Sequence, residues 1–401
     1  MTTSADPREA ARTRLSAHRE AVLALSHSLH AEPELAFEEH KSAKKIADLM
    51  EGAGFAVARG VCDLPTAFTA THGSGDLVIG ITAEYDALPG IGHACGHNVN
   101  GAAAVAAALA LAPVADDLGI TVKLLGTPAE EYGGGKVYML ERGAFDDVTA
   151  AMMVHAAPVD GLGFTSHAIS SWQVAYTGVT AHAAAMPHKG VNAADAMMIA
   201  QVAIGAYRQQ MIPGGIVHGV VTCGGEAPNV IPGRVTADYD CRAETAEDLA
   251  ALKARIRACF EAGALATGAE LELADVGRDY ADLRQDAEFG EAYRRSAEAL
   301  GRSFDLVPSG MRGGSTDMGN ISHVMPTIHP SIGYDCGETI MHNPEFTAYG
   351  TTPGADKAVL DGGLAMAWTA IELATAEATR TRLLTAHAER GGRAAGAAAA
   401  R

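Results

Sequence analysis

The sequence has 401 residues, of which 48% are hydrophobic and 19% charged, with a formal net charge of −18. This length predicts two domains, and the negative charge argues against a nucleic acid or an anionic membrane as a partner. The six cysteines include no CxxC pair, which is typical of reduced thiols. No apolar leader is seen, and the longest alanine-rich run, near 101–115, is judged too short to span a bilayer, so we expect a cytoplasmic protein.

Two helices are predicted near the N-terminus, over 8–30 and 37–53, from apolar residues at helical spacing. Between them His30, Glu34 and His40 lie in a segment with a proline turn and several acids. These side chains are potential metal ligands, but a solvated acidic loop is the favoured interpretation.

A polar stretch from Thr82 to Gly101, TAEYDALPGIGHACGHNVNG, follows a predicted strand at 76–82 and precedes a predicted buried helix at 101–111. Loops at the carboxyl ends of strands in α/β sheets line the ligand crevice. Cys95 and His97 are both ligand types for zinc or a similar cation. The pair alone does not establish a metal site, because a buried cysteine is usually inert packing.

Two more predicted strands end in polar residues. The strand at 122–126 leads to Glu130 and Glu131, followed by three glycines that allow close approach to a ligand. The apolar segment 150–158 is predicted as one short strand that ends in His155 and a proline. Paired acids indicate either a charged surface or a site, and such a histidine is either a core residue or a ligand.

From about residue 168 the character of the predicted elements changes. Alternating strands at 169–177, 215–223 and 233–242, with helices at 190–210 and 246–266, form a small α+β unit. After residue 286 helical periodicity returns, and the chain ends in a predicted helix at 353–387 and a low-complexity tail.

Five segments occur in one order: EYDALPGIGHACGHN, GTPAEEYGGGK, VTAHAAAMPHKGVNAADA, APNVIP and GGSTDMGN. Together they make the sequence resemble the M20 metallopeptidase and amidohydrolase family over nearly the whole chain. The similarity is greatest to the branch with a Cys-Gly-His motif. Within that branch it is greatest to the group of Xaa-Arg dipeptidases, β-alanyl-lysine dipeptidases and p-aminobenzoyl-glutamate hydrolase subunits.

The resemblance implies an α/β protein of two domains. A catalytic domain with a mixed sheet flanked by helices would span 1–167 and 284–390, with an α+β lid and dimerisation domain inserted at 168–283 and a flexible tail at 391–401. It further implies a homodimer through the lid, and a small dipeptide or N-acyl amino acid as substrate. It also implies two divalent metal ions, with zinc favoured and manganese, cobalt or nickel as alternatives.

The resemblance also assigns site residues by position. The implied metal ligands are Cys95, His97, Glu131, His155 and His342. The implied catalytic residues are Glu130 as general base, Asp86 as a residue that orients a ligand or site loop, and His182 as an oxyanion donor in the partner subunit's site. The implied substrate-binding residues are Asn229, Arg242, Gly314, Ser315 and Thr316.

The chemistry of amide hydrolysis agrees with this set. Two metal ions can activate water and polarise the carbonyl, while a neighbouring carboxylate moves the proton to the leaving nitrogen. Asn98 departs from the aspartate common in this branch, and we interpret it as a sub-family marker. Three further histidines are interpreted as structural or as supports of the metal ligands: His93, His188 and His329.

Two rival functions are weighed. In a cysteine hydrolase, Cys95 would be the nucleophile and His97 the base, but side chains two residues apart seldom have the geometry for proton transfer. A metal-bearing binding protein without turnover is the second rival. The sequence argues against it because Glu130 is present together with all five ligands.

Overall fold

The computed structural model describes residues 6–304 and 314–399, with side chains up to residue 391. The chain forms two compact units. The first comprises Met1–Thr165, Leu283–Gly313 and Asn320–Arg401, and the second comprises Ser166–Asp282 and Gly314–Gly319. The short segment Gly314–Gly319 therefore belongs to the second unit, although the sequence placed it in the catalytic domain.

The described helices are α1 (Pro7–Ala31), α2 (His40–Gly52), α3 (His97–Leu111), α4 (Gly135–Glu141), α5 (Ala193–Tyr207), α6 (Ala246–Thr267), α7 (Ala287–Glu298), α8 (Met318–Ser322), α9 (Pro344–Thr347), α10 (Pro353–Thr375) and α11 (Glu377–Ala399). The described strands are β1 (Ala56–Arg59), β2 (Phe68–His72), β3 (Leu77–Ala83), β4 (Ile120–Gly126), β5 (Ala150–Met152), β6 (His155–Ala157), β7 (Ala168–Thr177), β8 (Ile216–Cys223), β9 (Arg234–Ala243), β10 (Glu270–Asp275), β11 (Thr327–Ile328) and β12 (Ser331–Gly333).

The first unit contains a six-stranded mixed sheet in the order β1-β2-β4-β3-β5-β11. The strands β4, β3, β5 and β11 are parallel, and β2 and β1 extend the sheet by antiparallel pairing. The segment predicted as one strand at 150–158 is instead two, because β5 stays in the main sheet while β6 pairs in parallel with β12. Strands β11 and β12, which follow the second unit in the sequence, thus pair with strands that precede it.

The core of the first unit is built on α3. Every residue of this helix is buried, and it packs against α1 and α10. Its small side chains permit close approach: a Cβ on Gly363 of α10 would lie 2.4 Å from the Cβ of Ala106. Among the described residues, one run, His97–Val114, passes the length and apolarity criteria for a membrane span, contrary to our expectation. Since 89% of that run is buried in the protein, it occupies the position of a core helix.

The second unit is an antiparallel sheet in the order β10-β7-β9-β8 with α5 and α6 packed on one face. Its core includes Trp172, Tyr176 and Phe260, which are essentially fully buried. Strand β10 was not predicted, because its alternating pattern is largely exposed. Strand β8 forms one edge of the sheet, and most of its residues are exposed.

The C-terminal region differs from the single predicted helix at 353–387. Two helices, α10 and α11, meet at Ala376, whose backbone is extended. The backbone of the predicted tail is helical to Ala399, and residues 400–401 lie outside the described part of the chain.

Candidate metal centre

The Cys-Gly-His segment turns sharply at its glycine. Gly96 has a φ of 73° and precedes the first residue of α3. A Cβ at this position would lie 2.4 Å from the Cβ of Ala156 in β6. Glycine is required here both by the left-handed backbone and by the close approach of the loop to β6. The turn therefore brings Cys95 and His97 close to His155, the first residue of that strand.

His97 is buried and oriented by Asp86. Its Nδ1 lies 3.0 Å from Oδ1 of Asp86 and 2.9 Å from the Asp86 carbonyl oxygen. Its Nε2 therefore points the other way, where it has no hydrogen-bond partner. That nitrogen lies 3.9 Å from a carboxylate oxygen of both Glu130 and Glu131. Burial alone would lower the pKa of His97, but the charges of Asp86 and Glu84 raise it well above its usual range.

The loop carrying Glu130 and Glu131 follows β4 and is held at several points. The backbone N–H of Glu131 donates to Oδ2 of Asp86 at 2.9 Å, so this aspartate contacts both His97 and the acidic loop. A Cβ on Gly135 would lie 1.9 Å from the carbonyl oxygen of Pro128, which explains one of the three glycines. Glu131 is almost fully buried, its Oε1 lacks a hydrogen-bond partner, and burial raises its pKa.

His155 and His342 approach Cys95 from two other parts of the chain. Nε2 of His155 lies 3.8 Å from Sγ of Cys95, and Nε2 of His342 lies 3.4 Å from it. Nδ1 of His155 contacts the carbonyl oxygen of Ala156 at 2.8 Å, which directs Nε2 toward the cluster. Burial lowers the pKa of His155 to about 4, so its ring is neutral at pH 7. His342 lies 3.6 Å from Oε2 of Glu131.

All five predicted ligands lie in this cluster. Among the described residues, the donor atoms of these ligands and of Glu130 form trios within 4.8 Å of one another: Cys95, His97 and His155; Cys95, Glu131 and His342; and His97, Glu130 and Glu131. Cys95 belongs to two of the trios. A set of thiol, imidazole and carboxylate donors suits zinc and similar divalent cations. The unpartnered buried atoms of His97 and Glu131 are the atoms that such ions would satisfy.

The environment of Cys95 disfavours a thiol hydrolase. Burial and the charge of Glu131 raise the pKa of this thiol well above its usual range. A nucleophilic cysteine needs the opposite shift, since the thiolate is the reactive form.

Sequence reasoning assigned no role to three polar residues beside the cluster. Glu84 and Lys136 are fully buried, and their side chains form an ion pair of 2.6 Å. Asn100 donates to Glu84 at 3.1 Å and accepts from the backbone N–H of Ala156 at 2.8 Å. The only signal in the sequence is their position: Glu84 and Asn100 lie in the polar stretch Thr82–Gly101, and Lys136 directly follows the glycines of the acidic loop.

The second unit brings the remaining predicted site residues together in two groups. The backbone N–H of Ala183, next to His182, donates to the carbonyl oxygen of Asn229 at 2.9 Å, and His182 itself is exposed. Nδ1 of His182 accepts from the backbone N–H groups of Ala184 and Ala185, which leaves its Nε2 as the donor.

The second group lies around Arg242. Its Nη1 donates to Oγ of Ser315 at 3.0 Å, and its Nη2 lies 3.9 Å from Asp240. Gly314 accepts from the backbone N–H of His167, and Oγ1 of Thr316 accepts from that of Met318. These contacts anchor the short segment 314–316 to the second unit.

The other polar residues selected from the sequence make contacts with neighbouring parts of the fold. Asn98 donates to Ser26 and to the carbonyl oxygen of Gly350, so it ties α3 to its neighbours. Glu34 accepts from the backbone N–H groups of residues 41 and 42 and thereby caps the start of α2. His30 contacts the carbonyl oxygen of Thr347. His40 is exposed and lies 3.5 Å from Glu38.

The three histidines interpreted as structural differ in burial. His93 is buried against the carbonyl oxygen of Leu29, and burial lowers its pKa to about 3. His329 is buried, its ring stacks on His155 with centroids 5.3 Å apart, and neither ring nitrogen has a hydrogen-bond partner. His188 is exposed.

Comparison with known proteins gives consistent similarities. Residues 166–267 match the family described as peptidase dimerisation domain. A Xaa-Arg dipeptidase of Mus musculus is 36% identical over 90% of this chain and 87% of its own length. A p-aminobenzoyl-glutamate hydrolase subunit from Escherichia coli K12 is 34% identical over 64% of this chain and 58% of its own length. The crystal structure of a dinuclear metal-binding M20 peptidase from Bacillus subtilis shares the fold, with a TM-score of 0.66 and 22% identity over 90% of this chain and 99% of that one.

Proposed function

The chain belongs to the M20 family of metal-dependent amide hydrolases, and we propose that it cleaves a small dipeptide or N-acyl amino acid. The observation that carries the proposal is the convergence of Cys95 with four other donor side chains, with Glu130 beside them. The names of the relatives support the substrate class: one is a Xaa-Arg dipeptidase and another a p-aminobenzoyl-glutamate hydrolase subunit. Hydrolysis of a p-aminobenzoyl-glutamate-type substrate is therefore the second candidate.

Five residues would hold two divalent ions: Cys95, His97, Glu131, His155 and His342. When bound, such ions activate a water molecule and polarise the substrate carbonyl. We favour zinc because a thiolate and neutral imidazoles are donors that it prefers, with manganese, cobalt or nickel as alternatives. Asp86 would act as a positioning residue, since it orients both the His97 ring and the backbone of Glu131.

Glu130 is the proposed general base. Its Oε2 lies 3.9 Å from Nε2 of His97, and its neighbour Glu131 faces His342. The pair therefore divides into one carboxylate that would serve as a ligand and one that would accept a proton from water. Glu130 would then deliver that proton to the leaving nitrogen, which must depart as a neutral amine.

The second unit supplies the proposed substrate contacts. Nε2 of His182 is a hydrogen-bond donor, as an oxyanion-stabilising residue must be, and such a contact is typically worth about 3 kcal/mol. Asn229 would contact the substrate carbonyl. Arg242 would bind a free carboxylate of the substrate bidentately, beside the segment Gly314, Ser315 and Thr316.

We also propose that this unit forms a homodimer. Edge strand β8 exposes Val220 at 60%, and helix α5 exposes Met198 at 56% and Val202 at 67%. An open strand edge and an apolar helix face on one unit suit an isologous contact with a second copy. The match to a peptidase dimerisation domain over residues 166–267 supports the same assignment.

The test is a hydrolysis assay on protein that is stripped of metal and then reloaded with zinc, manganese or cobalt. The substrates are dipeptides ending in Lys, Arg or Glu, β-alanyl dipeptides, N-acetyl amino acids and p-aminobenzoyl-glutamate. We expect metal-dependent release from one of these classes. If none of these substrates is hydrolysed, although two metal ions are shown to be bound, the proposed substrate class is contradicted.

A further inference from the structure

A buried ion pair lies directly beside the metal-ligand cluster. Glu84 follows β3, and Lys136 follows the three glycines of the acidic loop. Neither side chain is exposed, and Nζ of Lys136 lies 2.6 Å from Oε1 of Glu84. Oε2 of Glu84 accepts from Nδ2 of Asn100 at 3.1 Å. The carboxylate is therefore fixed by contacts to both oxygens.

Oε2 of Glu84 faces two imidazoles of the cluster. It lies 3.6 Å from Nε2 of His97 and 4.0 Å from Nε2 of His155. Both rings are turned toward it, because their Nδ1 atoms contact Asp86 and the Ala156 carbonyl oxygen. Neighbouring ligand atoms in a tetrahedral zinc site with ordinary bond lengths are about 3.3–3.6 Å apart. Glu84 thus stands close to the distance expected of another ligand to the same ion.

The fold gives no stability reason for this pair. Removing two charges from water is costly, and replacing a buried ion pair by neutral side chains of similar size is often neutral or stabilising. A charged pair that is held in place beside two imidazoles is instead suited to binding a cation.

We propose that Glu84 supplies a further donor to the metal ion held by His97 and His155, and that Lys136 is the positioning residue that holds it there. The inference rests on the metal site of the proposed function, but it is independent of which substrate is cleaved. Lys136 binds Oε1, which leaves Oε2 directed at the two histidines. The lysine also offsets one negative charge in a cluster that contains several carboxylates.

The test measures cobalt binding by the full-length protein after its metal has been removed, in whatever oligomeric state it is purified. The wild type is compared with three variants. Glu84→Gln removes the anionic oxygen, and the double variant Glu84→Gln/Lys136→Met removes both charges, so that no unpaired charge remains buried. Asp160→Asn is the matched control, since Asp160 is a partly buried acid of the same unit that pairs with Arg302. Affinity is measured by competition with a chelator, and the absorption spectrum reports on the ligands of the bound cobalt.

We expect the double variant to stay folded and to bind the first cobalt ion at least about 10–100-fold more weakly, since that is the loss typical of a residue that only supports the ligands. Its visible d–d bands should shift, while the thiolate-to-cobalt band of Cys95 persists. The control should show neither change. Wild-type affinity and an unchanged spectrum in a folded double variant would overturn the inference, as would the absence of cobalt binding by the wild type. Wild-type hydrolysis, measured separately, tests the proposed function on its own.

Discussion

The substitution Gly96→Ala tests whether the tight turn between Cys95 and His97 builds the metal centre. Two costs are expected. A left-handed backbone costs a non-glycine residue about 1–2 kcal/mol. The new methyl group would also lie 2.4 Å from the Cβ of Ala156, and relieving such an overlap costs about 1–3 kcal/mol. Because the displaced segments carry three of the proposed ligands, we expect metal affinity to fall about tenfold or more.

The matched control is Gly90→Ala. Gly90 has a similar φ of 76° in the same polar stretch, but nothing lies within 4 Å of the position of its missing Cβ. It should show only the backbone cost and retain metal affinity. The double variant Gly96→Ala/Ala156→Gly removes the overlap and should recover that part of the loss.

The measurements are urea unfolding, followed by a probe of the first unit, and zinc affinity by competition. Equal stability and equal metal affinity of the Gly96 and Gly90 variants would refute the reasoning. So would a double variant that is no better than Gly96→Ala alone, because the contact with Ala156 would then carry no energy.

Three other predictions follow from the structure. Glu130→Ala should lower kcat about 10²–10⁴-fold while metal content by elemental analysis stays unchanged; wild-type turnover would remove Glu130 as the base. Val220→Glu with Val202→Glu should give monomers by light scattering with little activity, whereas an active monomer would contradict a partner contribution of His182. Burial, followed by the charge of Asp86, raises the pKa of Glu39 to about 7. The folded state then retains a proton that the unfolded state releases, so stability should fall as pH rises from about 4.5 to about 7. Glu39→Gln should reduce that fall in pH-dependent urea unfolding, and an unchanged slope would contradict the assignment.

Long, strongly patterned elements could be predicted from the sequence. Helix α1 and strands β3 and β4 match the predicted positions to within a few residues, because their apolar residues recur at the helical period or form continuous buried runs. Strands β1 and β2 were missed, since β1 is a short edge strand with mostly exposed residues. The start of α3 was placed too late because the cap is a left-handed glycine, a conformation that composition does not reveal.

The candidate site also contains residues that could be selected from the sequence and residues that only the structure reveals. Its proposed ligands were assigned through the resemblance to the M20 family, because residue type and position at strand ends left Cys95, Glu131 and His155 open between ligand and structural roles and gave no signal for His342. Glu84 and Lys136 are 52 positions apart, and a charged residue at such a position normally predicts a solvated surface. Only tertiary packing shows that the two share one buried location. The role of Gly314 and its neighbours also depended on packing, because the segment joins the second unit rather than the first.

The pairing of β5 with β11 and of β6 with β12 has a consequence for synthesis of the chain on the ribosome. When residue 165 has emerged, β5 and β6 each still lack a neighbour, and the inserted unit must be made before those neighbours exist. At a usual elongation rate of about 5–20 residues per second, the roughly 170 residues from position 165 to the end of β12 take about 8–35 s. During that interval two apolar strand edges are open to pairing with other nascent chains. Expression yield should therefore depend on chaperone supply and on translation rate through the insertion.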